Sequence, residues 1–316
     1  MHAYDEVSDE LLCILASEVG EDNVLMTEPM KLHTTFKIGG PAAVVVTPHT
    51  TEALAKVLDT CNQCEVPHVV VGNGSDLLVG DRGIRGVVIL LRENLAKIEV
   101  DAEKWRITAE AGALLRDVAL AAADAGLTGM EPLWGIPATV GGACFMNAGA
   151  YDGTTGAVLE SVEAYVPSKQ GGRGSVHTFD VRDLHMGYRK SLVHDAGLTV
   201  LRAAFKLAPG NEAMIRADMA DYQRRREEKQ PLEVPSAGST FKRPEGHFAG
   251  KIIMDAGLRG ERIGGAQVSE KHCGFIVNTG GATARDVLAL IERVQDEVHR
   301  QFNVDLEPEV RLIGDF

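Results

Sequence analysis

The feature that most constrains this chain is an uncharged stretch at residues 133–150, which reads LWGIPATVGGACFMNAGA. Glycine and proline both oppose helix formation, so we expect no regular helix here. The stretch is also a poor match to a core strand. It offers backbone N–H groups and close approach to the backbone, which suits a flat or anionic ligand such as a nucleotide cofactor. A tight β-turn region is the alternative, but the length of the stretch and a second glycine-rich loop upstream favour the ligand.

The composition narrows the class of protein. A length of 316 residues allows two or three domains, and 45% hydrophobic with 24% charged residues is typical of a globular protein. The net charge of −13 argues against a nucleic-acid partner. No apolar run is long enough to span a membrane, and the first residues do not resemble a signal peptide. We therefore expect a cytoplasmic protein with neither a membrane nor a nucleic-acid partner.

The five cysteines indicate reduced thiols, because their number is odd and their spacings are unmatched. Cys61 and Cys64 form a C-x-x-C pair, which is half of a zinc site, and His68 is the one further ligand candidate close in sequence. Cys61 falls on the apolar face of a predicted helix over residues 50–63. Packed or solvent-edge thiols are favoured over redox or metal chemistry for this pair, and no metal site is predicted.

Alternating helix and strand patterns predict an α/β body, followed by a smaller α+β part that begins near residues 208–210. Residues 168–175 read as an exposed hairpin tip. Arginines 224–226, next to two glutamates, are interpreted as a solvated helix face. The predicted helices cover residues 8–18, 50–63, 113–125, 211–229 and 249–256, with a long helix that begins after Thr283. The predicted strands cover residues 42–46, 68–72, 158–166, 176–180, 199–207, 272–278 and 310–313, with two more within 95–112.

The upstream glycine-rich loop, residues 72–76, reads GNGSD and offers successive backbone donors. It lacks the Lys-Ser/Thr ending of a P-loop, and its spacing does not match G-x-G-x-x-G. Taken alone, it is equally compatible with a hairpin turn.

Three short polar segments stand where packing does not require polar residues: Tyr188-Arg189, the turn 238–240 that contains Ser239, and the pair Glu307 and Glu309. Individually, each could be an ordinary surface feature. A Ser-His-Asp triad is not supported, because no G-x-S-x-G motif occurs.

Five motifs occur in a fixed order: GNGSDLLV, GIPATVGGACFMNAGAY, YR, PSAGSTFKRP and LEPEVRLIG. Together they closely resemble the UDP-N-acetylenolpyruvoylglucosamine reductase family (MurB), flavin enzymes of peptidoglycan synthesis. The resemblance covers about residues 34–314. It implies an α+β protein with an FAD-binding fold of the vanillyl-alcohol oxidase type, made of two α+β subdomains (residues 1–95 and 96–208), and a C-terminal α+β substrate-binding domain (residues 209–316). Ser239 lies only 50 positions after Arg189, which resembles the shorter, type II form.

The resemblance also implies a set of residues that bind FAD. The pyrophosphate is expected at Gly72, Asn73, Gly74, Ser75 and Asp76. The ring and ribityl chain are expected at Gly135, Ile136, Pro137, Ala138, Thr139, Gly141, Gly142, Asn147, Gly149 and Ala150, with Arg311 near the ring. No histidine occurs in residues 72–79, and Cys144 is expected to be a packed residue, so we expect non-covalent FAD.

The implied reaction uses NADPH to reduce the flavin, which then passes hydride to C3 of the enolpyruvyl group of the substrate. Arg189 is expected to stabilise the charge that develops on the substrate carboxylate. Ser239 is expected to protonate C2 as a general acid, and Glu309 to assist as a hydrogen-bonded partner or proton relay. The implied product of UDP-N-acetylglucosamine enolpyruvate is UDP-N-acetylmuramate.

Substrate contacts are expected at Tyr188, Lys229, Arg243 and His272, the first two serving the UDP pyrophosphate. Surface or packing roles stay open for Arg243 and His272. A monomer is expected. Two other functions remain as alternatives: an alcohol or carbohydrate oxidase with the same flavin fold, and a nucleotide-binding regulatory protein without turnover.

Overall fold

The computed structural model describes residues 7–168 and 172–316. Its internal contacts form two compact units: the first contains residues up to 26, 44–73 and 86–225, and the second contains residues 27–43, 74–85 and 226–316. The units do not follow chain order, and the three-part division stays a prediction. Part of the expected hairpin tip, residues 169–171, lies outside the described residues. Within those residues, no helix is both long and apolar enough to cross a membrane.

Helices and strands alternate along most of the chain. The helices are α1 (Asp9–Val19), α2 (Thr51–Gln63), α3 (Leu115–Asp124), α4 (Val140–Met146), α5 (Thr155–Val158), α6 (Leu192–Asp195), α7 (Glu212–Lys229), α8 (Ala249–Asp255) and α9 (Ala284–Phe302). The strands are β1 (Val24–Pro29), β2 (Pro41–Val46), β3 (His68–Val71), β4 (Leu77–Val79), β5 (Ile84–Leu90), β6 (Ile98–Asp101), β7 (Arg106–Glu110), β8 (Leu127–Thr128), β9 (Gly149–Ala150), β10 (Gly153–Thr154), β11 (Leu159–Val166), β12 (Ser175–Asp180), β13 (Thr199–Lys206), β14 (Ala208–Pro209), β15 (Arg262–Ile263), β16 (Ala266–Val268), β17 (Ile276–Asn278) and β18 (Arg311–Ile313).

A five-stranded sheet forms the centre of the first unit, in the order β12-β11-β13-β7-β6 with antiparallel neighbours. Alternate residues of these strands point to opposite faces, and the inward set, such as Val162 opposite Ala203, is buried. A four-stranded sheet has the order β1-β2-β5-β3, and β3 runs parallel to β5. Helix α2 begins after Thr50, whose side chain accepts the Ala53 N–H, and buries Cys61 as its apolar face predicts.

The second unit has its own apolar core, centred on α9 and the antiparallel strands β15-β16-β17. Helix α9 begins with a capping box between Thr283 and Asp286. Its buried residues recur with the helical period, as the sequence predicts. Strand β18, at the end of the chain, pairs in parallel with β4 and places Arg311 opposite Leu77.

The expectation that residues 133–150 hold no helix is wrong, because α4 lies within them. Thr139 caps the helix by accepting the Gly142 N–H, and Asn147 ends it in the left-handed region with φ 44°. Each of its two glycines, Gly141 and Gly142, costs about 0.5–1 kcal/mol of helix stability. Gly141 nevertheless suits its position, since a Cβ there would lie 3.2 Å from Ala111.

The interpretation of arginines 224–226 as one solvated face is also wrong for Arg226, which is only 6% exposed. Arg226 lies four residues after Tyr222 and seven after the buried Met219, so the helical period continues the buried stripe of α7 to this arginine. The arginine triplet masked this periodicity in the sequence.

Candidate functional site

The two glycine-rich loops contact each other within the first unit. The side-chain N–H of Asn73 donates to the Pro137 carbonyl at 2.7 Å. Gly72 packs on Thr139 so closely that an added Cβ would lie 2.2 Å from the Thr139 Oγ1 atom. Glycine is therefore required at position 72. Four residues predicted to bind the cofactor, from two distant segments, are thus neighbours.

The backbone donors at the start of α4 are already used within the fold. Val140 N–H donates to the Ala113 carbonyl and Gly141 N–H to the Ala111 carbonyl, both at 2.8 Å. What Gly141 provides is close backbone approach, since its N–H is engaged by Ala111. The segment around Gly135, Ile136 and Ala138 precedes this helix as a turn. Both bonds join backbone groups, and residues 133–150 include no charged side chain, so this part of the candidate site is neutral.

An arginine that the motifs do not include borders the first loop. Arg92 Nε donates to the Gly72 carbonyl at 3.2 Å, and burial lowers the pKa of its guanidinium. Arginine stays protonated despite such a shift. The fold thus holds a partly buried cation next to a loop predicted to receive a pyrophosphate. The sequence signal is a single charge that ends the apolar run VVILLR.

Tyr188 and Arg189 occupy the tip of a tight turn in the first unit. Gly187 N–H donates to the Lys190 carbonyl at 2.9 Å, and Lys190 N–H donates to the Gly187 carbonyl at 3.3 Å. Arg189 adopts φ 53°, and its guanidinium carbon lies 4.9 Å from the centre of the Tyr188 ring. The Tyr188 side chain is 60% exposed. The predicted catalytic arginine is therefore presented on a strained turn.

Three more predicted cofactor residues of the stretch 133–150, Asn147, Gly149 and Ala150, bond to or pair with other parts of the first unit. Gly149 and Ala150 form β9 and pair with β10, and a Cβ on Gly149 would lie 2.8 Å from the Gly153 carbonyl oxygen. The side chain of Asn147 is bonded to Gly187 and Gly156. Cys144 is buried, and its pKa is raised to about 12 by that burial, as expected of a packed thiol.

The rest of the first loop belongs to the second unit. Gly74 adopts φ 61°, and a Cβ there would lie 2.2 Å from the His33 carbonyl oxygen. Its own carbonyl accepts the Thr35 N–H at 3.2 Å. Ser75 and Asp76 form the turn that leads into β4. The motif therefore needs glycine at 74 because the backbone passes so close to residue 33.

Arg311 and Asp76 are close in the second unit. The Arg311 N–H donates to the Asp76 carbonyl at 2.9 Å. Burial lowers the pKa of the Arg311 guanidinium, and the Asp76 carboxylate acts in the opposite direction. A partly buried cation therefore stands next to the loop in this unit too.

The structure brings Ser239 and Glu309 together through the residue between them, Thr240. The Thr240 carbonyl accepts the Glu309 N–H at 2.8 Å, and its hydroxyl accepts the buried Ile276 N–H at 2.9 Å. Gly238 has φ 74°, with open space where its Cβ would point. Two predicted catalytic residues, 70 positions apart in sequence, therefore share one backbone junction.

The predicted substrate residues have mixed surroundings. The Arg243 guanidinium stacks 4.0 Å from the centre of the Phe248 ring. His272 Nδ1 accepts the Gly274 N–H at 3.1 Å, and burial lowers the pKa of the imidazole. This imidazole is therefore neutral at pH 7 and carries its proton on Nε2. Lys229 is exposed at the end of α7.

Comparison with known proteins gives consistent matches over the chain. Residues 42–168 match the family model described as an FAD binding domain. Residues 230–313 match the model of the UDP-N-acetylenolpyruvoylglucosamine reductase C-terminal domain. The fold class predicted from the sequence, an α+β protein with an FAD-binding fold and a distinct C-terminal part, is confirmed.

Similar proteins extend over nearly the whole chain. The UDP-N-acetylenolpyruvoylglucosamine reductase of Agathobacter rectalis is 51% identical over 303 residues, which cover 93% of this chain and 95% of the relative. That of Clostridium botulinum is 51% identical over 94% of each chain. The crystal structure of the Thermus caldophilus enzyme (MurB) superposes with a TM-score of 0.75 and 38% identity, over 92% of this chain and 97% of that one.

Proposed function

Because the chain belongs to the UDP-N-acetylenolpyruvoylglucosamine reductase family, whose members are oxidoreductases, we propose that it reduces UDP-N-acetylglucosamine enolpyruvate to UDP-N-acetylmuramate. The reductant in this proposal is NADPH, and the cofactor is non-covalent FAD. The reaction belongs to the synthesis of peptidoglycan precursors.

The observation that carries the proposal is the junction at Thr240, which joins Ser239 to Glu309. Reduction of an enol ether requires a proton at C2 after hydride reaches C3. Ser239 brings a hydroxyl and Glu309 a carboxylate to the two segments that meet at this junction, and these are groups suited to deliver that proton. An oxidase that shares the flavin fold has no need of this pair.

The donor set also fits FAD. The loops around Gly72 and Pro137 are in contact, and they supply a neutral surface and closely approaching backbone for a flat ring. Arg92, next to Gly72 in the first unit, supplies a cation for a pyrophosphate, and Arg311 stands next to Asp76 in the second unit. When bound, FAD would supply the two-electron chemistry that links NADPH oxidation to reduction of the enolpyruvyl double bond.

The protein residues then have separate tasks. Arg189 stabilises the negative charge that develops on the substrate carboxylate, where a fixed cation is effective because it needs no reorganisation. Ser239 donates its proton to C2, and Glu309 supports that hydroxyl by hydrogen bonding. Tyr188, Lys229, Arg243 and His272 bind the substrate in this proposal.

Ser239→Ala tests the proposal most directly. We expect the variant to bind FAD and to be reduced by NADPH, but to form UDP-N-acetylmuramate about 10²- to 10⁴-fold more slowly, as for loss of a general acid. Stopped-flow absorbance follows each half-reaction separately. Ser236→Ala, in the same PSAGS turn, is the matched control and should retain both rates.

Unchanged product formation by Ser239→Ala would remove the serine from the mechanism. Wild-type protein that takes up FAD but consumes no enolpyruvyl substrate with NADPH would defeat the proposed activity, and would favour a binding protein without turnover.

A further inference from the structure

We propose that Asn147 is a positioning residue for Arg189, because it anchors the backbone turn that presents this arginine. The inference rests on the proposed function, in which Arg189 stabilises charge on the substrate. The family resemblance implies that Asn147 contacts the cofactor. In the structure, its side chain also bonds to the turn at residues 187–190.

Both the amide nitrogen and the amide oxygen of the Asn147 side chain form hydrogen bonds. Its Nδ2 donates to the Gly187 carbonyl at 2.9 Å, and its Oδ1 accepts the Gly156 N–H at 2.8 Å. The residue is only 7% exposed. Because one end donates and the other accepts, the two bonds permit a single orientation of the amide.

The turn that this amide anchors is strained. Gly187 and Lys190 exchange two backbone hydrogen bonds, and Arg189 between them has φ 53°. A non-glycine residue persists in the left-handed region where surrounding structure holds it there. Asn147 binds the turn at Gly187, which is the first residue of the turn.

The other side of the turn is tied to the same helix end. Ser191 is fully buried, and its hydroxyl donates to the Phe145 carbonyl at 2.7 Å. Phe145 and Asn147 are two residues apart at the C-terminal end of α4. Both flanks of the turn are therefore fixed to one short segment, and the position of Arg189 depends on it.

Asparagine meets every requirement of position 147. The bond to the Gly187 carbonyl requires a donor and the bond from the Gly156 N–H requires an acceptor, and a carboxamide supplies both. The backbone at 147 has φ 44°, which asparagine tolerates better than most residues. An aspartate would keep the bond from Gly156 but would place a carboxylate oxygen against the Gly187 carbonyl.

The test is a double-mutant cycle between Asn147→Asp and Arg189→Ala. The measured quantity is the single-turnover rate of sugar-nucleotide reduction per bound flavin, so any change in FAD content is removed. In the Arg189-containing protein, we expect Asn147→Asp to lower this rate about 10- to 100-fold. In the Arg189→Ala background, the same substitution should lower the rate less than about threefold, since it acts through the missing arginine.

Asn147→Gly is the second variant. Glycine keeps the left-handed backbone and removes both side-chain bonds, so it preserves the path of the chain if aspartate prevents folding. Thr155→Val is the matched control. Thr155 is fully buried and donates to the Ala148 carbonyl at 2.8 Å, but it has no bond to the turn. Its effect on the rate should be equal in the two backgrounds.

Amide hydrogen exchange provides a readout that does not depend on turnover. The Lys190 N–H donates to the Gly187 carbonyl, so its exchange should be about tenfold faster in Asn147→Asp and Asn147→Gly, and unchanged in Thr155→Val. Equal rate losses in both backgrounds, or unchanged exchange at Lys190, would overturn the positioning role. A wild-type rate in Arg189→Ala would instead refute the proposed role of the arginine, and the positioning role with it.

Discussion

Two regions that carry predicted site residues, the stretch 133–150 in the first unit and the junction around Thr240 in the second, are built in different ways. In the first unit, the stretch 133–150 has no charged side chain and is held by hydrogen bonds among backbone groups and uncharged side chains. In the second unit, the predicted roles belong to the side chains of Ser239, Glu309 and Arg311. A surface for a flat cofactor depends on shape, whereas proton transfer depends on functional groups. Adding side-chain volume should therefore impair the first region, whereas removing a functional group should impair the second.

Of the four substitutions that test this comparison, Gly72→Ala should have the largest effect, because it adds a methyl group where the two glycine-rich loops meet. The new methyl would overlap the Thr139 hydroxyl, and overpacking of this kind costs about 1–3 kcal/mol. We expect a lower melting temperature and at least tenfold weaker FAD binding, measured by flavin fluorescence. Adding Thr139→Ala should recover part of the loss. A variant that binds FAD like the wild type would contradict the close packing.

Thr240→Val removes a functional group from the second unit without adding volume. The buried Ile276 N–H then loses its acceptor, which should cost about 1–3 kcal/mol of unfolding free energy. Thr240→Ser keeps the hydroxyl and is the control. Urea denaturation measures both, and equal midpoints for the valine and serine variants would show that the hydroxyl does not matter there.

Gly142→Ala sharpens the comparison, since it adds bulk where the fold itself has room. A Cβ at 142 meets only the Thr139 hydroxyl, at an ordinary 3.5 Å, and alanine favours a helix by up to about 1 kcal/mol. We expect an unchanged or higher melting temperature for the protein without cofactor, and FAD binding that is weakened several-fold. If FAD binding is also unchanged, the cofactor does not pack along this face of α4.

Asp286→Asn should have the smallest effect, and it depends on pH. Asp286 accepts the Thr283 and Gly265 N–H groups, which hold the pKa of its carboxyl below the ordinary value. Its contribution, about 1 kcal/mol for a capping residue, is therefore present above pH 4 and is lost as the pH falls through the lowered pKa. Denaturation at pH 7 and pH 3 should show a smaller difference from the wild type at pH 3.

The sequence predicts most regular elements and the motif positions, because periodicity and glycine spacing are local signals. Helix α2 and its buried Cys61 follow directly from an apolar stripe, and α9 from its cap and its period. The family match confirms the fold class and the resemblance that five short motifs suggest. The assigned roles of the individual site residues remain predictions.

What the sequence does not predict depends on long-range contacts. Helix α4 forms despite two glycines because Ala111 and Ala113 accept its first N–H groups from a distant segment. The burial of Arg226 is hidden by a charged triplet. The bond from Asn147 to Gly187 spans 40 residues, and no local pattern signals it.

The pairing of β18 with β4 has a consequence for synthesis of the protein on the ribosome. Residues 77–79 are translated 234 positions before their strand partner, residues 311–313. The loop that contains Gly74, Ser75 and Asp76 leads directly into β4, which lacks its partner until β18 is translated. A chain that stops short of residue 311 therefore cannot complete the support of this loop, and the loop can reach its final structure only after residue 313 has been translated.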